Sequence, residues 1–93
     1  MSAYVVVHAT VKSPEKMAEY SAAAGPTLAA FGGKLVSRGA SETLAGNQPH
    51  GVMVVLEFPD RASAKAWYAS DAYQAAIPTR LEAMDSIFVL GGE

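Results

Sequence analysis

The chain has 93 residues, a formal net charge of −2 and no cysteine; 51% of its residues are hydrophobic and 17% are charged. This length builds one domain, the lack of cysteine excludes disulfides, thiol catalysis and thiolate metal sites, and the lack of a basic stripe argues against nucleic-acid binding. A domain this short buries only about 60–65% of its unfolded surface when folded alone, and so apolar a composition predicts a surface that a second copy of the chain covers.

The opening run, MSAYVVVHATV, has no cationic segment and too short an apolar stretch for a signal peptide or a membrane span. It predicts a soluble, cytoplasmic protein with no membrane partner. Within it, residues Ala3–Val11 are rich in β-branched side chains and predict a first strand. Ser13-Pro14-Glu15 then reads as a helix start: a hydroxyl cap, a proline at the first helical position and an acid at the positive end of the dipole. Met17, Tyr20, Ala24, Leu28 and Phe31 recur at three- and four-residue spacing and predict the buried stripe of a helix reaching about Phe31. Gly25-Pro26 predicts a kink or brief break in it. Gly32-Gly33 supplies a left-handed stop.

A second strand is expected from Lys34 to Arg38, with a possible resumption after Gly39 as far as Leu44. Gly46, Asn47, Pro49 and Gly51 mark the following segment as a turn-rich loop. Val52–Phe58 predicts a third strand that Pro59 ends, and Asp60 caps a helix running to about Ala69. Ser70 reads as another cap, opening a short turn that carries Tyr73. Pro78 breaks the chain again, Ile87–Leu90 is the last strand, and Gly91-Gly92-Glu93 is read as tail. The order strand, helix, strand, strand, helix, strand predicts a ferredoxin-like α+β sandwich: a four-stranded antiparallel sheet with the helices on one face.

Strand alternation then sorts the residues by face. Val5, Val7, Ala9 and Val11 belong with Val52, Val54, Leu56 and Phe58 against the helices. Tyr4, Val6, His8 and Thr10 share the opposite face with Met53, Val55 and Glu57, which is too apolar for water. Two such faces packed across a twofold axis would form a dimeric α/β barrel. The parity of Val36 places Arg38 on this same face, so Arg38, Glu57 and His8 are expected to converge in a pocket inside the barrel, walled by Tyr4, Val6, Met53 and Val55.

Each candidate has two readings. Arg38 and Glu57 either bind a ligand or form a structural ion pair at the dimer seam. His8 is either a general base, its ordinary pKa being near neutrality, or a hydrogen-bonded core histidine. Trp67, Tyr68 and Tyr73 either line a ligand entrance, pack the core or form the dimer edge. For packing, Ala62, Ala66, Ala69 and Tyr73 make a helical stripe that Trp67 borders. Tyr20 reads as core, and Arg80 either binds an anion or is solvated. His8 and His50 without clustered carboxylates make no metal site. Neither a phosphate loop, a dinucleotide fingerprint nor a nucleophile elbow is present, so no cofactor is expected.

Tyr20, FGGKLVSRG (Phe31–Gly39), LEFPD (Leu56–Asp60), AWYASDAYQ (Ala66–Gln74) and Arg80 together resemble the domain of unknown function 1330 (DUF1330) family, which is similar to the dimeric α/β-barrel superfamily. The resemblance implies the same dimeric fold and points to Arg38, Glu57, Trp67, Tyr68, Tyr73 and Arg80 as positions to follow. The chain departs from the family pattern at Ala40, where a glycine is usual, at Ala45, where an acid is usual, and at Val52, where a base is usual. The wider superfamily includes cofactor-free monooxygenases and lactone isomerases. By that analogy, His8 or Glu57 would accept a proton and Arg38 would stabilise an anion or enolate. Two functions therefore stand: a homodimer binding a small, partly apolar metabolite in its barrel, with or without such chemistry, and a non-catalytic structural or interaction dimer.

Overall fold

The computed structural model describes residues 2–92. Four antiparallel strands form one sheet: β1 (Ala3–Val11), β2 (Lys34–Ala40), β3 (Val52–Phe58) and β4 (Met84–Gly92), in the spatial order β2-β3-β1-β4. The helices are α1 (Pro14–Ala24), α2 (Arg61–Ala69), α3 (Asp71–Gln74) and α4 (Ile77–Ala83). This is the ferredoxin-like α+β sandwich. The two most apolar strands, β1 and β3, lie at the centre of the sheet, where each has a neighbouring strand along both edges.

Local chemistry sets the element ends. Ser13 accepts a hydrogen bond from the Lys16 amide at the head of α1, and Pro14 occupies the first turn. α1 stops at Ala24; Gly25–Thr27 and Ala29–Phe31 continue as two 3-10 turns, because Pro26 has no amide hydrogen to give and the Thr27 hydroxyl donates to the Ala24 carbonyl instead. Gly32 follows in the left-handed conformation, φ 71°. Gly33 is required for a different reason: a Cβ there would lie 2.5 Å from the Phe58 ring. The Asp60 carboxylate accepts from the Ser63 amide at 2.7 Å to start α2, and Ser70 accepts from the Tyr73 amide to start α3.

Four expectations change. Pro78 does not break the chain but sits in the first turn of α4, where its missing amide costs nothing. β4 is nine residues long because it pairs along the whole of β1, from Val11 opposite Met84 to Ala3 opposite Gly92; Gly91 and Gly92 are strand, and Glu93 lies outside the described residues. β2 ends at Ala40 without resuming towards Leu44. On α2 the buried residues are Ala64 and Trp67, while Ala62, Ala66 and Ala69 are exposed. An indole buries far more apolar surface than three methyl groups, so Trp67 sets the rotation of the helix.

The core lies between the sheet and the helices. Val5, Val7 and Ala9 of β1 and Leu56 and Phe58 of β3 meet Tyr20 and Ala24 of α1, Trp67 of α2 and Tyr73 of α3. Met17, Leu28 and Phe31 pack at its margin, as their helical spacing predicts. No helix among the described residues is long and apolar enough to cross a membrane.

Candidate functional site

The face of the sheet away from the helices carries Tyr4, Val6, His8, Met53, Val55 and Glu57, as strand alternation requires. β4 adds Ile87 and Val89, 49% and 52% exposed, so a broad apolar surface stands open. Glu57 is well held there. Its Oε2 accepts from the Tyr4 hydroxyl at 3.2 Å, and its Oε1 lies 3.2 Å from the Lys34 ammonium. Hydrogen bonds from the Ser2 side chain and then from Lys34 hold its carboxyl below the ordinary carboxylate range. It is a paired anion, poorly suited to accepting a proton near neutrality.

Arg38 is not on that face. β2 carries a bulge between Leu35 and Ser37, so Leu35 lies opposite Leu56 and Arg38 opposite Val54, both on the helix side. The extra residue, Val36, shifts the alternation by one and carries Arg38 across the sheet. The expected convergence of Arg38, Glu57 and His8 therefore does not form. Lys34, not Arg38, is the cation beside Glu57. His8 and Glu57 are also apart: His8 pairs with Met53 while Glu57 pairs with Tyr4, a separation of four residues or about 13 Å along the strand. The His8 Nδ1 is buried and has no hydrogen-bond partner among the described residues. His50 anchors the β2–β3 loop through a 2.8 Å contact with the Thr10 hydroxyl.

The helix side of the sheet holds a cavity of about 240 Å³ between α1, the 3-10 turns and strands β1–β4. Val7, Leu28, Val54, Leu56 and Phe88 give it apolar walls. Tyr20, Ser21, Arg38 and Trp67 are the lining residues with polar side-chain groups. Met17, Ser21 and Arg38 also line a more open groove of about 570 Å³ that runs past Gly39 and Gly51 to the surface. Arg38 thus stands where cavity and groove meet. The Trp67 indole N–H donates to the Thr27 hydroxyl at 2.9 Å, which fastens α2 to the turn after α1.

Behind the cavity lies a polar cluster in an aromatic setting. The hydroxyls of Tyr20 and Tyr73 are 2.8 Å apart. Arg80 donates from Nη1 to Tyr73 at 2.9 Å and to Tyr68 at 3.1 Å, and its guanidinium sits 4.7 Å from the centre of the Phe88 ring. Tyr73 packs against Trp67 and Tyr68, with ring centres 4.4 and 5.2 Å away. Burial raises the pKa of both Tyr20 and Tyr73, so both are neutral phenols.

The sequence candidates therefore divide into three places. Tyr4, His8 and Glu57 are on the open face; Arg38 and Trp67 line the cavity; Tyr68, Tyr73 and Arg80 form the cluster behind it. Tyr20 joins cavity to cluster, and its role was hidden in the sequence by its place on a helical stripe. The one signal was a hydroxyl among otherwise apolar stripe residues, since a buried tyrosine needs a partner for that group. Among the described residues no three metal-ligating side chains come together.

Fold and cavity define a ferredoxin-like α+β protein with an apolar cavity between sheet and helices. The match to the family "Domain of unknown function (DUF1330)" extends over residues 2–92, and the chain belongs to that family. A protein of unknown function from Rhodopseudomonas palustris is 21% identical, covers 99% of this chain and 82% of its own, and superposes with a TM-score of 0.79. SnoaB, a cofactor-independent oxygenase from Streptomyces nogalater, is 13% identical over 99% of this chain and 92% of its own, with a TM-score of 0.72. A dimeric ferredoxin-like protein of unknown function from Thermobifida fusca is 17% identical over 100% of this chain and 92% of its own, with a TM-score of 0.68. At these identities the likeness is one of fold. No curated protein matches the sequence.

Proposed function

We propose that the cavity between the sheet and α1 binds a small, partly apolar metabolite with an anionic or carbonyl end, in a cytoplasmic homodimer assembled through the open sheet face. The observation that carries this reading is Arg38: a guanidinium at the junction of an apolar cavity and a surface groove. Apolar walls with a few polar groups are the usual form of a ligand site. A guanidinium gives two parallel hydrogen bonds to a carboxylate. The remaining polar groups free of the Trp67–Thr27 bond are hydroxyls, which bind and polarise an oxygen rather than remove a proton. The dimeric Thermobifida fusca protein of the same fold supports the homodimer.

Benzoate, with toluene as the uncharged control, tests the site. Trp67 is the sole tryptophan and lines the cavity, so its emission reports occupancy. Arg38→Gln is expected to weaken benzoate about tenfold and to leave toluene unchanged. Failure of both compounds to bind, or equal benzoate binding by both proteins, would sink the proposal. The narrower reading is cofactor-free oxygenation or isomerisation in this cavity. It draws on the oxygenase of the same fold and is tested by turnover of any ligand that co-purifies. A purely structural dimer is the second reading. It is favoured by Glu57, whose partners Tyr4 and Lys34 leave it little capacity for a ligand.

A further inference from the structure

We infer that Tyr20 offers its hydroxyl hydrogen to the cavity, and that the ligand meets it with a carbonyl or oxyanion oxygen. This rests on the cavity being the binding site, as proposed above, and it specifies the chemistry of the occupant.

The inference comes from counting protons. A guanidinium only donates. The Tyr73 oxygen, 2.9 Å from Arg80 Nη1, is therefore an acceptor in that contact. Tyr73 keeps one hydrogen of its own, and its remaining hydrogen-bond neighbour among the described residues is the Tyr20 hydroxyl. Only two arrangements satisfy this pair. Either Tyr73 donates to Tyr20 and the Tyr20 hydrogen is unspent, or Tyr20 donates to Tyr73 and the Tyr73 hydrogen is unspent.

Tyr73 is 0% exposed and takes no part in the cavity wall. The second arrangement therefore strands a donor in packed protein, where a hydrogen bond left unmade costs most. Tyr20 is in the cavity wall, so the first arrangement leaves the unspent hydrogen on the one residue of the pair that an occupant touches. The charge on Arg80 favours the same order, because an oxygen that accepts from a cation becomes a stronger donor in turn. The raised Tyr20 pKa keeps the group a neutral donor and not a phenolate base. A cavity near 150 Å³ admits benzene, so about 240 Å³ suits a single substituted ring or a short branched chain bearing that oxygen.

Acetophenone and α-methylstyrene are close in shape and differ in having C=O or C=CH2. Both are titrated calorimetrically against the native protein and against Tyr20→Phe, and the infrared carbonyl band of the bound ketone is recorded. The native protein is expected to bind the ketone about tenfold tighter than the alkene, the worth of one buried hydrogen bond. Its carbonyl band should lie below its position in cyclohexane. Tyr20→Phe should bind both compounds alike, with the band back at the cyclohexane position. If both compounds bind equally to the native protein and the band is unshifted, or if Tyr20→Phe keeps the preference, the donor role falls and the cavity stands. If neither compound binds, the cavity falls and the donor role with it. Should Tyr20→Phe not fold, the native preference and the band position decide alone.

Discussion

Glu57 illustrates how the same side chain can be read as a site or as a support, and its partners settle which residues compete for it. Ser2, Lys34 and Tyr4 all stabilise its charged form, so its pKa is lower folded than unfolded. The stability this contributes is complete above the ordinary value of 4.5 and is lost as pH falls through the lower folded value. Thermal melting from neutrality down to about pH 3 should show a steeper acid loss for the native protein than for Glu57→Gln. The same variant should leave benzoate affinity unchanged, because Glu57 and the cavity are on opposite faces of the sheet. Tyr73→Phe removes one of the two acceptors of Arg80 and the partner of Tyr20 together. It should cost about 1–3 kcal/mol, read as a lower denaturant midpoint. At this scale the sequence showed residue types but not partners. Glu57 was visible as a charge in an apolar strand, whereas its pairing with Lys34 depended on the cross-strand register.

At the scale of the elements, most boundaries followed from local chemistry. Ser13, Asp60 and Ser70 announced helix starts and do cap them. β1 and β3 begin and end where their composition places them. The bulge in β2 was not legible, because a bulge is a mismatch between two strands and neither strand's sequence contains the other's register. That single residue moved Arg38 from the expected face to the cavity. The phase of α2 was hidden for a related reason: its alanines fit a buried stripe as well as its tryptophan does, and packing chose the larger side chain. Gly33 carries a prediction of the same kind. Gly33→Ala forces a methyl group against the Phe58 ring and should destabilise by about 1–3 kcal/mol. Gly39→Ala, with nothing within 4 Å of the new methyl, should melt within about 0.5 kcal/mol of the native protein.

For the whole molecule, the open sheet face is the surface through which the proposed homodimer would assemble. Val6, Met53 and Val55 lie on it, and Ile87 and Val89 are about half exposed in the single chain. A carboxylate introduced on this face would have to be desolvated in a face-to-face dimer. Sedimentation of the native protein should give a dimer, and Val89→Asp should give a folded monomer with an unchanged far-ultraviolet spectrum. A native monomer at micromolar concentration would remove the proposed interface. A dimeric Val89→Asp protein would move it to another surface.

The sequence by itself determined the order of elements, the faces of β1 and β3 and the sandwich they make. Those depend on periodicity and capping, which are properties of neighbouring residues. The tertiary structure alone decided that the cavity lies on the helix side of the sheet, that Arg38 reaches it, and that Tyr20 connects it to Tyr73 and Arg80. Tyr20 and Tyr73 are 53 residues apart in the chain. Only the packing of α1 against α3 and α4 brings their hydroxyls within a hydrogen bond, and no local pattern encodes that contact.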